Sequence, residues 1–124
     1  MKLFLIAMLM VANIATADVI ELSSKQQLDS LLKENGSTLL MFHAHYCGYC
    51  RKSYPIVEKV ANENNIVVVK IDVEKFPSLS QKWTGRKGIP EYVAVTHFND
   101  KTTTVKSIGF MSEVDLTTFI NEHM

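Results

Sequence analysis

Cysteine is nearly absent from this chain, with two residues in 124, Cys47 and Cys50. A single pair excludes the disulfide framework of small secreted scaffolds, and without a second pair it falls short of a four-ligand structural zinc site. Net charge is also missing. Thirteen basic and thirteen acidic side chains cancel, so no electrostatic footprint for nucleic acid or an anionic membrane exists. Internal repeats and low-complexity tracts are lacking, which excludes solenoids and long disordered tails. What remains is a chain of single-domain length, 47% apolar, enough for one packed core.

The first residues read as a targeting segment rather than as fold. Lys2 supplies a positive start, Leu3 to Ile14 is apolar except for Asn13, and Ala15-Thr16-Ala17 has the small-x-small form of a signal-peptidase site. The apolar run is shorter than the ~20 residues of a membrane span. An uncleaved N-terminal anchor is the alternative, and no cysteine stands near the cleavage site to carry a lipid. The expected division is therefore a signal peptide over 1–17 and one domain over 18–124. The expected destination is the periplasm, with secretion or membrane anchoring as alternatives.

Along the domain, Asp18 to Leu22 alternates like a short strand. Ser24 and Gln27 resemble a capping box opening a helix over Lys25–Glu34, with Gly36 as its stop. Thr38 to Ala44 is a continuous apolar run that suits a strand buried on both faces. The next helix carries Cys50, Tyr54, Val57, Val60 and Ala61 along one side, with Pro55 inside it predicting a kink. It ends at Asn64-Asn65. Ile66 to Asp72 reads as a second buried strand and Ser78 to Trp83 as a short helix. Tyr92–Phe98 and Thr102–Ile108 form a hairpin through Asn99-Asp100. Ser112 caps a last helix facing inward through Leu116, Phe119 and Ile120. Strands separated by helices must pair in parallel through right-handed crossovers, whereas the hairpin is antiparallel. The expected fold class is α/β, a mixed sheet of about five strands with helices on both faces.

Cys47-Gly48-Tyr49-Cys50 stands where a buried strand gives way to a helix. Free N–H groups and the positive end of the helix dipole stabilise a thiolate at Cys47, while Cys50, one turn on, can close a disulfide with it. As a structural staple the pair would close a tiny loop and remove little chain entropy, which favours chemistry. The first sulfur should be exposed and the second covered. Gly88-Ile89-Pro90 precedes a strand, and a proline there is a candidate cis peptide; a trans proline opening an edge strand is the alternative.

These residues resemble the thioredoxin family over nearly the whole domain: Phe42, the Cys47–Cys50 motif, Pro55, Ile71-Asp72, Gly88-Ile89-Pro90 and Gly109. The resemblance implies a thioredoxin-like fold and a thiol:disulfide oxidoreductase. Cys47 and Cys50 would be its catalytic redox pair, needing no cofactor and no metal. It also implies that Pro90 is cis and packs against the disulfide. The backbone of Ile89 would then be free to pair with an extended substrate, with Gly48 and Tyr49 beside it. Protein thiols or disulfides would be the substrates, a membrane thiol-transfer protein the redox partner, and a monomer the working unit.

Departures from the family pattern carry their own information. Cytosolic thioredoxins have a buried aspartate where Met41 stands and a partnering lysine at about Val68, and Tyr46 replaces the tryptophan before the first cysteine. The Gly-Tyr dipeptide resembles bacterial periplasmic disulfide isomerases, whose dimerisation domain has no counterpart in these residues. The expected activity leans toward reductase or isomerase, with dithiol oxidase as the alternative.

His43 and His45 flank Ala44 close to the cysteines. Three readings stand: an imidazole tunes Cys47 or relays the Cys50 proton, the four residues His43, His45, Cys47 and Cys50 bind copper(I), or both histidines are polar residues leaving a strand. Trp83 either borders the substrate groove or belongs to the core.

Overall fold

The computed structural model describes residues 18–85 and 87–124; the expected signal peptide lies outside the described residues. The chain runs β1 (Asp18–Glu21), α1 (Lys25–Glu34), β2 (Ser37–His43), α2 (Gly48–Asn64), β3 (Val67–Asp72), α3 (Pro77–Thr84), β4 (Glu91–Phe98), β5 (Lys101–Ile108) and α4 (Glu113–His123). One five-stranded sheet has the order β1-β3-β2-β4-β5. β1, β3 and β2 pair in parallel, and β4 and β5 add antiparallel to β2 and to each other. The mixed α/β sheet expected from the order of elements is the one observed.

β2 lies at the centre, and its period of two divides the core. Leu39 and Met41 join Val57, Val60, Tyr92, Leu116 and Phe119 under α2 and α4. Leu40 and Phe42 join Leu28, Val69, Ile71, Leu79 and Val93 under α1 and α3. All six residues from Thr38 to His43 are buried, as a strand covered on both faces requires. Trp83 packs against the second cluster and is a core aromatic.

Local sequence explains most of the element ends. Ser112 Oγ accepts from Asp115 N at 3.1 Å to cap α4. Asn99 and Asp100 take φ of 52° and 62°, the left-handed pair that closes a two-residue hairpin. Two ends differ from expectation. Ser24 Oγ does accept from Gln27 N, but Gln27 Oε1 reaches Ser23 N at 2.7 Å, so the reciprocal half of the cap falls one residue earlier. Gly36 does not stop α1. Asn35 does, in extended conformation, with its backbone N–H and its Nδ2 both donating to Leu31 O. An asparagine side chain can satisfy the orphan carbonyl that a left-handed glycine would otherwise turn to face. α2 is continuous across Pro55, which supplies no N–H to the carbonyl of Arg51.

Candidate active site

β2 delivers the chain to the C-terminal edge of the parallel strands, and a tight turn, Cys47 N donating to Ala44 O at 3.1 Å, sets Cys47 at the N-cap of α2. Its sulfur accepts from Cys50 N at 3.2 Å, one of the donors a helix start leaves unpaired. Both cysteines are free thiols; Cys47 is half-buried and Cys50 is fully buried. Burial, and then the neighbouring Cys47 sulfur, push the Cys50 thiol up to about 12. The two sulfurs are thus unequal, one reachable and one protonated under cover.

The second wall comes from the start of β4. The Ile89–Pro90 peptide bond is cis, Pro90 is buried, and the Ile89 carbonyl lies 3.9 Å from Cys47 Sγ. Ile89 stands just outside the strand ladder, whose pairing on both sides of β4 begins at Glu91. Gly109 closes the third side. Its N–H donates to Pro90 O at 2.7 Å, and its φ of 103° suits glycine alone. A shallow groove beside Cys47 is lined by Gly48, Tyr49, Arg51 and Lys52. Tyr49 is 61% exposed, with Phe110 at 6.0 Å between ring centroids and Lys52 Nζ 5.3 Å above its ring.

The two histidines separate. His43 is fully buried, with Nδ1 2.7 Å from Tyr54 Oη and Nε2 3.0 Å from Glu21 Oε2. Burial lowers it from the ordinary imidazole value, against the pull of Glu21. His45 is exposed and reaches Asp72 at 3.7 Å, although the two rings meet edge to face at 5.7 Å. With both His43 nitrogens turned to Glu21 and Tyr54, the four residues considered for copper(I) do not converge. Among the described residues no group of three or more His, Cys, Asp or Glu side chains gathers as a metal site. Met41 and Val68 are fully buried, so the central rows of this face hold no charge.

Sequence reasoning missed Glu21, Lys70 and the hydroxyl of Tyr54. Lys70 Nζ stands 3.6 Å from Glu21 Oε1 and 4.0 Å above the Tyr54 ring. Parallel pairing of β1 with β3 places Glu21 opposite Lys70, a register that no local pattern in four residues of β1 announces. Tyr54 had a legible signal, its i+4 spacing from Cys50.

Fold, cysteine pair and cis-proline loop together define a thiol–disulfide exchange domain, and comparison places it. The family model Thioredoxin matches residues 18–122, and the chain belongs to that family of thiol-disulfide oxidoreductases. It is 33% identical over 96 residues to a thioredoxin of Mycoplasmoides gallisepticum, covering 77% of this chain and 92% of that one. It is 30% identical over 108 residues to a thioredoxin of Buchnera aphidicola subsp. Schizaphis graminum, covering 86% and 96%. Among solved structures, a mutant thioredoxin from Halobacterium salinarum superposes with a TM-score of 0.79 over 90% of this chain and 96% of that one. Its 24% identity speaks for the fold alone.

Proposed function

We propose that this domain exchanges thiols and disulfides on exported proteins, with Cys47 as attacking and Cys50 as resolving sulfur. The inequality of the two sulfurs carries the reading: Cys47 is reachable at a helix N-cap, and Cys50 is fully buried behind it. Cys47 attacks a substrate disulfide and breaks its S–S bond, so that one substrate sulfur leaves as a thiolate and the other is held in a mixed disulfide with Cys47. Cys50 then attacks Cys47 Sγ, closing the intramolecular disulfide and releasing the substrate thiol. Ile89 outside the ladder offers main-chain groups to an extended substrate, while Gly48, Tyr49 and Pro90 border it. No cofactor enters this scheme.

The direction proposed is reduction or isomerisation, supported by the Gly48-Tyr49 dipeptide. Export rests on the residues before Asp18. A reductase in an oxidising compartment needs electrons from outside it, and a membrane thiol-transfer protein is the proposed donor, acting on a monomer. Cys47→Ser should abolish turnover, whereas Cys50→Ser should accumulate mixed disulfides, scored on non-reducing gels. Equal trapping by both variants would reverse the assignment. The reduction potential of the pair tests direction: about −270 mV supports a reductase, about −120 mV an oxidant.

A further inference from the structure

Resolution requires a proton to leave Cys50, a thiol with no exposure to water. The core rows beneath it hold Met41 and Val68, which cannot accept one, and Tyr92, whose hydroxyl is fully buried without a hydrogen-bond partner among the described residues and so leads no proton to solvent. Tyr54 lies four residues along α2, where Cβ atoms on one helix face stand about 5–6 Å apart. Helical side chains also lean toward the N-terminus, here toward Cys50. From Tyr54 a chain of short contacts leads outward: Oη to His43 Nδ1 at 2.7 Å, His43 Nε2 to Glu21 Oε2 at 3.0 Å, and Glu21 is 47% exposed.

The tautomer follows from the partners. The Glu21 carboxylate only accepts, so Nε2 carries the imidazole proton and Nδ1 accepts from the Tyr54 hydroxyl. That leaves Tyr54 Oη with a lone pair to receive. We propose that Tyr54, His43 and Glu21 form a proton relay that serves Cys50 in the resolution step and opens to solvent at Glu21, with His45 outside it. This rests on Cys50 being the resolving sulfur. Tyr54 would exchange its proton with the reacting thiol itself, whereas His43 and Glu21 are positioning residues that act through Tyr54.

The step balances as follows. The reduced state shows no hydrogen bond between Cys50 Sγ and Tyr54 Oη, so the first transfer requires their approach in the mixed disulfide. The Cys50 proton then passes to Tyr54 Oη as the Tyr54 proton passes to His43 Nδ1, giving an imidazolium held against Glu21. The Cys50 electron pair forms the bond to Cys47 Sγ. The Cys47–substrate bond breaks, and its electron pair departs on the substrate sulfur, which takes a proton from water. The cysteine pair is oxidised by two electrons and the substrate disulfide is reduced. The imidazolium then gives its Nε2 proton to Glu21 and on to solvent, leaving the Nδ1–H tautomer, which passes a proton back toward Tyr54 when the cysteine pair is reduced again. The groups facing His43 suit a transient acceptor: Glu21 from β1, Lys70 and Asp72 from β3, Tyr54 from α2 and the ring of His45. Burial keeps the ring neutral at rest. Tyr54, pushed up to about 12 by burial and then by Cys50, stays protonated and passes protons without losing its own.

Ellman's aromatic disulfide mixed with reduced protein separates the two steps, because attack by Cys47 releases one nitrothiobenzoate and resolution by Cys50 releases the second. Tyr54→Phe, which keeps the ring, and His43→Ala should each slow the second release about 100-fold at pH 7, within the range of general acid–base effects. In the wild type that release should level off above the His43 titration. In the variants it should instead climb tenfold per pH unit through pH 9. Tyr54→Phe keeps the test sharp if His43→Ala fails to fold. An unchanged second release, or one slowed equally at every pH with the wild-type profile intact, overturns the relay. Failure of the wild type to make the second release at all would sink the assignment of Cys50 instead.

Discussion

Two buried ionisable groups sit at the same end of the sheet on opposite faces, and they are treated differently. His43, on the α2 side, has a partner on each ring nitrogen. Glu91, on the α1 and α3 side beside Phe42, is 1% exposed, and its Oε1 has no hydrogen-bond partner among the described residues. Burial lowers the histidine and raises the carboxylate, so both are pushed toward neutrality. The lesson is that burial alone sets the direction of a shift, whereas partners decide what the group can do. A neutral imidazole joined to Glu21 and Tyr54 can pass a proton on. A carboxyl with a buried oxygen left unpartnered holds its proton or costs stability.

The comparison can be broken in three places, beginning with the largest expected effect. Leu40→Ala, in the apolar cluster of the Glu91 face, should cost about 2–5 kcal/mol in urea unfolding. Both nitrothiobenzoate releases should survive it in the folded protein, since that face holds no part of the exchange chemistry; loss of the second release would show the faces to be coupled.

His43→Ala should cost about 2–3 kcal/mol, from the cavity and from Tyr54 left without its acceptor. Its pH dependence has a definite sign. A histidine lowered by folding contributes fully above its unfolded value of 6.5, and that contribution is lost as pH falls through the lower folded value. The wild type should therefore lose stability between neutrality and mild acid, and His43→Ala should flatten that slope.

Glu91→Gln should give the smallest effect and the opposite one, a raised Tm at neutral pH. A carboxyl raised by folding penalises the native state increasingly as pH rises above the ordinary 4.5, in full once pH exceeds its folded value, and not at all well below 4.5. The gain from Glu91→Gln should thus shrink toward zero near pH 4. A gain that persists there would mean that packing, not charge, sets the difference.

Much of this was legible before any coordinates. The bounds of α1, the Asn99-Asp100 hairpin and the inward face of α4 are written in local pattern, because caps and left-handed turns act over three or four residues. The end of α1 at Glu34 was read correctly but its stop was assigned to Gly36 instead of Asn35, because both are competent stops and the choice between them turned on one side-chain hydrogen bond. Trp83 could not be assigned to groove or core from its neighbours in sequence, since its burial depends on strands distant along the chain.

The sequence by itself determined the order of elements, the pair Cys47 and Cys50 at a strand-to-helix junction, and the dry runs of β2 and β3. Periodicity and helix capping are properties of a few adjacent residues. Only the tertiary structure decided that His43 is buried and His45 is solvated, although they are two residues apart and share a strand-end pattern. The reason is long-range: β1 pairs with β3 and brings Glu21 across the sheet, and α2 folds back to lay Tyr54 over the ring. A histidine acquires a function from the two atoms its nitrogens meet, and those atoms lie 22 and 11 residues away along the chain.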